Sequence, residues 1–421
     1  MKQVSWIIVA SLVSITGCSE MTTREEQTAG SATTFLEDRT FLEAHTNVVV
    51  LGDDPNGPQV VVVPAWQGRV MTSTADAATG TGYGWLNKSL IASGEHQPHI
   101  NALGGEDRFW LGPEGGQFSI FFAPSDPFDL DHWQTPPLID TDAYAVVSHD
   151  AQHVTFRHDS QVTNYTGTVF DLRIDRIVRL LDQAQLQQTL GVELGSSVQM
   201  VAYKSDNTIT NTGSSTWNKD TGLLSIWILG MFQHSPVTTV VIPYRDGTVE
   251  ELGPIVNDAY FGAVPDDRLL TQDNTLFFKG DGQYRSKIGL TPKRATPVIG
   301  SYDPSRNLLT VVHYTLPDGI TDYVNSMWEL QDAPYAGDAL NSYNDGPPDA
   351  TTPPLGPFYE LETSSPAAAL SPNASITHVH RTFHFEGSSN DLNAIAQTVL
   401  GVDLSTIQSA FNTPVLGSES E

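Results

Sequence analysis

Apolar and polar residues alternate in short runs along most of the chain. In the longest run, residues 168–181, Phe170, Leu172, Ile174, Arg176, Val178 and Leu180 recur at every second position with mostly polar residues between them. That is the period of a half-buried strand. Shorter β-branched or aromatic runs predict strands at 47–51, 60–63, 69–74, 118–122, 144–147, 154–158, 197–204, 207–211, 223–229, 237–242, 275–279, 284–290, 308–314 and 326–330. Helical periods are few. Asp182 caps a short helix to Leu190, which Gly191 ends, Asp391 caps another to Leu400, and Asp403 begins a further turn or two. Residues 332–357, rich in proline, read as a long loop. Strands at this spacing, without long helices between them, predict an all-β fold of large antiparallel sheets with short helices, one of them C-terminal.

Residues 356–386 carry the densest chemistry. They read as two strands joined by a polar loop. Glu360 and Glu362 are two apart and share a face, while His378, His380, Thr382 and His384 alternate with Val379, Arg381, Phe383 and Phe385. The pattern leads us to expect two carboxylates and three imidazoles on one surface.

Composition narrows the partners. The net charge of −28, from 49 acidic and 21 basic residues, argues against nucleic acid, which needs a basic footprint. The single cysteine, Cys18, leaves no internal disulfide. Lys2, an apolar run over 6–13 and Ile15-Thr16-Gly17-Cys18 resemble a bacterial lipoprotein signal, in which the leader is cut before a cysteine that is then lipidated. The expected layout is a signal over 1–17, a flexible tether over 18–34, a β domain over 35–388 and a helical tail over 389–421. The expected location is extracytoplasmic, anchored to a membrane through Cys18, the outer membrane if the cell is Gram-negative.

Three further motifs, in order, resemble the galactose mutarotase-like superfamily. They are Pro64-Ala65-Trp66-Gln67-Gly68-Arg69-Val70, then Asn207-Thr208-Ile209-Thr210-Asn211-Thr212-Gly213, then the strand ending in Glu362-Thr363 with the Pro-Ala loop and histidine-bearing strand after it. The resemblance covers most of 41–388. It implies a β-supersandwich, two twisted antiparallel sheets face to face with a sugar cleft, and carbohydrate as the partner. It also implies a glutamate base at Glu362. The family's histidine motif after the central turn is replaced here by Trp227-Ile228-Leu229-Gly230-Met231-Phe232-Gln233-His234, so His234 is near the family's acid position but outside its motif. The family's Asn-Arg substrate pair is half matched, by Asn101 and a shifted Arg108.

Ring opening of a sugar hemiacetal needs a base at the anomeric hydroxyl and an acid at the ring oxygen. Glu362 with His99, His234, His378 or His380 supplies such a pair, and His380 and His234 are the catalytic candidates carried forward beside Glu362. Glu360, Asn101, Arg108 and Trp110 are candidate sugar contacts. Lys279, Arg285 and Lys287 form a basic cluster suited to an acidic or sulfated sugar. Glu106, Asp107 and Glu114 are possible carboxylate partners for glycosidase chemistry. His378-x-His380 has the form of a metal-binding pair, but the motif is short and common, the polar face of a half-buried strand is the favoured account, and no metal or cofactor is assigned. The expected function is therefore a lipid-anchored carbohydrate-binding protein with mutarotase-like acid/base chemistry. The alternatives are sugar binding without catalysis, or a polysaccharide lyase or glycosidase on the same fold.

Overall fold

The computed structural model describes residues 33–349 and 351–411. The leader and Cys18 lie outside them. Along the chain come α1 (Phe35–His45), β1 (Val49–Leu51), β2 (Gln59–Val63), β3 (Arg69–Thr74), α2 (Lys88–Ser93), β4 (Arg108–Gly112), α3 (Pro137–Asp140), β5 (Ala145–His149), β6 (His153–Thr163), β7 (Val169–Leu180), α4 (Gln183–Leu190), β8 (Gln199–Asn211), β9 (Ser225–Gln233), β10 (Thr239–Pro243), α5 (Val249–Leu252), β11 (Leu269–Gln272), β12 (Thr275–Lys279), β13 (Ser286–Leu290), β14 (Val298–Asp303), β15 (Leu308–Tyr314), β16 (Leu340–Asn344), β17 (Phe358–Ser364), β18 (Ser375–Glu386), α6 (Ser389–Leu400) and α7 (Leu404–Ser409). The expected antiparallel β architecture with short helices, including C-terminal ones, is present.

The strands form a ten-stranded sheet in the order β11-β12-β10-β14-β15-β18-β8-β7-β6-β5, a five-stranded sheet β13-β16-β17-β9-β4, and a small sheet β1-β2-β3. The inner faces of the two large sheets meet directly: Tyr359 Oη of β17 lies 2.7 Å from Ser301 Oγ of β14. Apolar side chains from both fill the space between, among them Phe109, Ile228, Ile174 and Ile209. The outer face of the ten-stranded sheet is half covered. Phe383, Phe385, Ala202 and Val311 pack there under α4, α6 and α7, which contribute Leu186, Leu392, Ile395, Leu400 and Ile407. Removing that much apolar surface from water is what holds short helices of weak intrinsic stability in place.

Several expectations need correction. Residues 118–122 form no strand, and the strand of this region lies earlier, at β4. Residues 326–330 form no strand, whereas β14 and β16 escape the pattern, β16 from inside the expected long loop. The predicted strands 197–204 and 207–211 are one continuous strand, β8. The segment Gly280-Asp281-Gly282 follows β12 directly. It carries the chain from β12 in the ten-stranded sheet to β13 in the five-stranded sheet.

The core also holds charge. Glu106 and Asp107, just before β4, are fully buried. Glu106 accepts hydrogen bonds from Ser73 N (2.6 Å), Ser73 Oγ (2.7 Å) and Tyr203 Oη (3.0 Å), and lies 3.1 Å from His384 Nε2. Asp107 accepts from Arg176 Nη2 at 2.8 Å and Ser205 Oγ at 2.7 Å, and Arg176 is itself fully buried. These carboxylates face the interior, so they are not partners for Glu362. Removing one member of such a pair strands the other charge away from water. Asp107→Ala is expected to destabilise the protein by about 3–5 kcal/mol in urea unfolding. Asp159→Ala, which breaks the exposed pair with Arg173, is expected to change stability by about 1 kcal/mol or less. Equal effects of the two would contradict this assignment.

Candidate functional site

Strand register alone assembles a charged cluster on the five-stranded sheet. Glu362 of β17 is opposite Leu229 of β9 and Asn341 of β16, and Leu229 is opposite Arg108 of β4. Two residues earlier, Glu360 is opposite Tyr343, which is opposite Lys287 of β13. Residues directly opposite in an antiparallel pair share a face. Arg108, Lys287, Asn341, Tyr343, Glu360 and Glu362 therefore project together from the side turned away from the ten-stranded sheet.

Glu362 is fully buried. Its Oε2 accepts from Lys287 Nζ and from the Trp227 indole N–H, each at 2.9 Å. Its Oε1 accepts from no N–H or hydroxyl among the described residues, and the carboxyl of Glu360 is the neighbour within hydrogen-bond reach of Glu362. Lys287 Nζ also stands 4.6 Å from the Trp227 ring centre and 5.3 Å from that of Tyr260, a cation–π seat. Burial opposes the ammonium charge, but Glu362, Glu114 and Glu360 outweigh it and raise the Lys287 pKa. Glu360 Oε1 accepts from Arg108 Nη2 at 2.6 Å, and the Arg108 guanidinium lies 5.0 Å from the Trp110 ring centre. Burial pushes the Glu360 carboxyl up to about 8; Arg108 opposes the shift and the neighbouring Glu362 adds to it. The two carboxyl groups share one strand face, and the Glu360 carboxyl is within hydrogen-bond reach of Glu362.

Loops roof the cluster. Glu114 reaches it from beyond β4, its carboxyl raised by burial and pulled back down by Lys287. Tyr260 donates to Asp338 Oδ2 at 2.7 Å. Between Trp227, Lys287, Asn341, Tyr260, Asp338 and Ser326 is a small hollow with room for about one water molecule.

The remaining sequence candidates are elsewhere. β17 and β18 belong to different sheets, so the carboxylates and imidazoles do not share a surface. Thr363 Oγ1 lies 2.8 Å from His378 Nε2 and 2.9 Å from His380 Nδ1, and Thr363 points opposite to Glu362 on the same strand. His378 and His380 are thus on the inner side of β17. Burial lowers their pKa values to about 3 and about 4, which keeps both neutral at physiological pH. Among the described residues no three His, Cys, Asp or Glu side chains are grouped to hold a metal ion. His234 lies beyond the end of β9, against Gly282 and Pro357. Asn101 donates its backbone and side-chain N–H groups to Asp140 and is a loop anchor. His99 Nδ1 contacts the Trp133 carbonyl. Lys279 is on β12, in the other sheet, 4.0 Å from Asp267 and over the Phe411 ring. Of the basic cluster, Lys287 joins Glu362, and Arg285 stacks on Phe261 with its guanidinium 3.9 Å from the ring centre. Trp227, Asn341, Tyr260 and Asp338 were not among the sequence candidates. Only strand pairing and loop folding bring them in.

The chain belongs to a family of unknown function, DUF6786. Its family model matches residues 33–411. No curated protein matches the sequence. Among solved structures, the chain is similar to the Slr1438 protein from Synechocystis sp. PCC 6803, with 14% identity over 82% of this chain and 96% of that one and a TM-score of 0.49. It is also similar to a galactose mutarotase-like protein from Lactobacillus casei, with 12% identity, 80% and 100% coverage and a TM-score of 0.46. A galactose mutarotase related enzyme from Lactobacillus acidophilus gives 9% identity, 81% and 97% coverage and a TM-score of 0.43.

The raised Glu360 pKa has a measurable consequence. The folded state holds this proton up to about pH 8, whereas the ordinary value is 4.5, so folding takes up a proton between these limits. The group's contribution is fully present below pH 4.5 and is lost as pH rises toward 8, at up to about 1.4 kcal/mol per pH unit. Urea unfolding at several pH values across this window is expected to show that slope in the wild type and its loss in Glu360→Gln. An identical pH dependence of the two proteins would rule out the shift.

Proposed function

We propose that the outer face of the five-stranded sheet takes a carbohydrate and that Glu362 accepts a hydroxyl proton or hydrogen bond from it. One observation carries this reading. A completely buried carboxylate is oriented through one oxygen by Lys287 and Trp227, while its other oxygen accepts from no N–H or hydroxyl among the described residues and the Glu360 carboxyl stands beside it. A buried acceptor left open in this way is expensive unless a ligand or water completes it. The surrounding side chains support a sugar. Trp227 and Trp110 stand edge to face with ring centres 5.6 Å apart, and rings of this kind pack against the apolar faces of pyranoses beside polar groups that bind hydroxyls. The sequence resemblance to mutarotase-like proteins points to the same residue.

The acid differs from the expected histidine. Glu360 keeps its proton at neutral pH, next to a carboxylate held by an ammonium, and two carboxyls in such contrasting environments form an acid/base pair. Because the hollow as it stands holds little more than water, sugar entry requires Tyr260 and its loop to swing outward. Binding without turnover is the second reading. It is favoured by the separation of His234 and His380 from Glu362. A lipid anchor on Cys18 and an extracytoplasmic location belong to the proposal and rest on the leader sequence alone.

The test is anomer exchange of free aldohexoses followed by polarimetry and NMR, with sugar binding measured in parallel. If Glu362 is the base, Glu362→Gln is expected to lower the exchange rate by about 10²–10⁴ while the protein stays folded. Binding lost in that variant, with no exchange in the wild type, supports the second reading. Unchanged binding and exchange would remove Glu362 from the site.

A further inference from the structure

We infer a second binding site, for a linear polyanionic polysaccharide, on the solvent face of the ten-stranded sheet. It stands independently of the site at Glu362. The observation is a single row of residues set by strand register. His313 of β15 is opposite Arg381 of β18, Arg381 opposite Lys204 of β8, Lys204 opposite Arg179 of β7, and Arg179 opposite His153 of β6. All five are half-buried and project from the outer face. The next row, Val311, Phe383, Ala202 and Leu181, is covered by the helices, so the basic row is the first uncovered one along the edge of the helical layer.

Like charges directly opposite each other destabilise a sheet. Here three cations occupy adjacent strands with no carboxylate between them, in a chain with 49 acidic and 21 basic residues. Elsewhere on the same face cations are matched across strands, Arg157 with Asp175 at 2.7 Å and Arg173 with Asp159 at 2.8 Å. Within the row, Lys204 turns along its own strand to Asp206 at 2.8 Å, and His153 to Asp150 at 2.9 Å. Arg381 Nη1 lies 3.3 Å from His313 Nδ1, and Arg179 has no hydrogen bond or ion pair among the described residues. Burial, helped by Arg381, lowers the His313 pKa to about 4, so at neutral pH this imidazole can accept from Arg381 and leave the other guanidinium donors outward.

The geometry selects the ligand. Neighbouring strands are about 4.8 Å apart, so the row is about 19 Å long and one side chain wide. That spacing is close to the repeat of a sugar along an extended chain, which lets successive carboxylates or sulfates meet successive strands with charge-assisted bonds. An anionic bilayer fits less well, because it needs a broad basic patch and Asp206, Asp175 and Asp159 flank this narrow row. Stacked bases lack a platform, since the adjoining row of Val379, Asp206, Ile177 and Thr155 holds no aromatic ring.

The test titrates the full chain with dextran sulfate and with polygalacturonate, using neutral dextran as the control, at low and high ionic strength. Binding to the anionic polymers is expected, weakening as salt rises. Arg179→Gln and Arg381→Gln are each expected to weaken it about tenfold, and the double variant more. Arg179→Lys is expected to retain binding, as is Arg173→Gln, which removes a matched cation from the same face. Circular dichroism and unfolding midpoints confirm that the variants are folded. No binding, binding equal to that of neutral dextran, or binding insensitive to the double variant would overturn the proposal. So would capture by phosphatidylglycerol vesicles through Arg179 and Arg381 without polysaccharide binding, which would make the row a membrane contact.

Discussion

The interior polar bonds of the five-stranded sheet fix what appears on its outer face. Successive side chains on a strand point to opposite sides, and a one-residue slip would exchange them all. Asp107 is held inward by Arg176 and Ser205, so Arg108 emerges outward beside Glu360. Thr363 is held inward by His378 and His380, so Glu362 emerges outward beside Lys287. Apolar packing alone would tolerate small sliding of β4 or β17. Buried hydrogen bonds do not, because each broken one leaves an unsatisfied group away from water.

This gives the histidines of β18 a job other than chemistry. His378 and His380 are neutral, buried and matched to the Thr363 hydroxyl, and His384, also buried, meets the Thr310 hydroxyl and Glu106. They act as struts between the sheets. The glycines ahead of β4 serve the same end. Gly104 and Gly105 have φ of 96° and 111°, and a Cβ on Gly104 would come within 2.0 Å of the Trp85 carbonyl oxygen. Only glycine adopts that backbone at so close an approach, and it delivers Glu106 and Asp107 to the core.

Charge is distributed with equal specificity. The excess of acid is a property of the whole surface and bears on solubility. Arg108 and Lys287 are spent on individual carboxylates in a buried cluster, whereas Arg179, Lys204 and Arg381 line up along the helical border of the other sheet. Net charge alone describes neither arrangement. Beyond about 8–10 Å, charges on the surface are largely screened from one another, so a local row of cations acts on a ligand despite the overall sign.

The antiparallel β class, the long strand β7 and the caps of α4 were legible in the sequence, because each depends on local period or local capping; α6 is capped by Ser388 and not, as expected, by Asp391, which lies in its first turn. The rest was not. β16 is hidden among prolines and aspartates, and its identity as a strand comes from its two neighbours. Lys279 and Lys287 are eight residues apart yet end in different sheets, while Arg108 and Glu360 are 252 residues apart and in contact. Sequence spacing cannot express either fact. The sequence by itself determined which residues alternate. Tertiary structure decided which face of each strand is interior, because that depends on what the other sheet offers to a buried carboxylate or hydroxyl. It thereby turned one expected surface of carboxylates and imidazoles into a charged cluster on one side of β17 and its supports on the other.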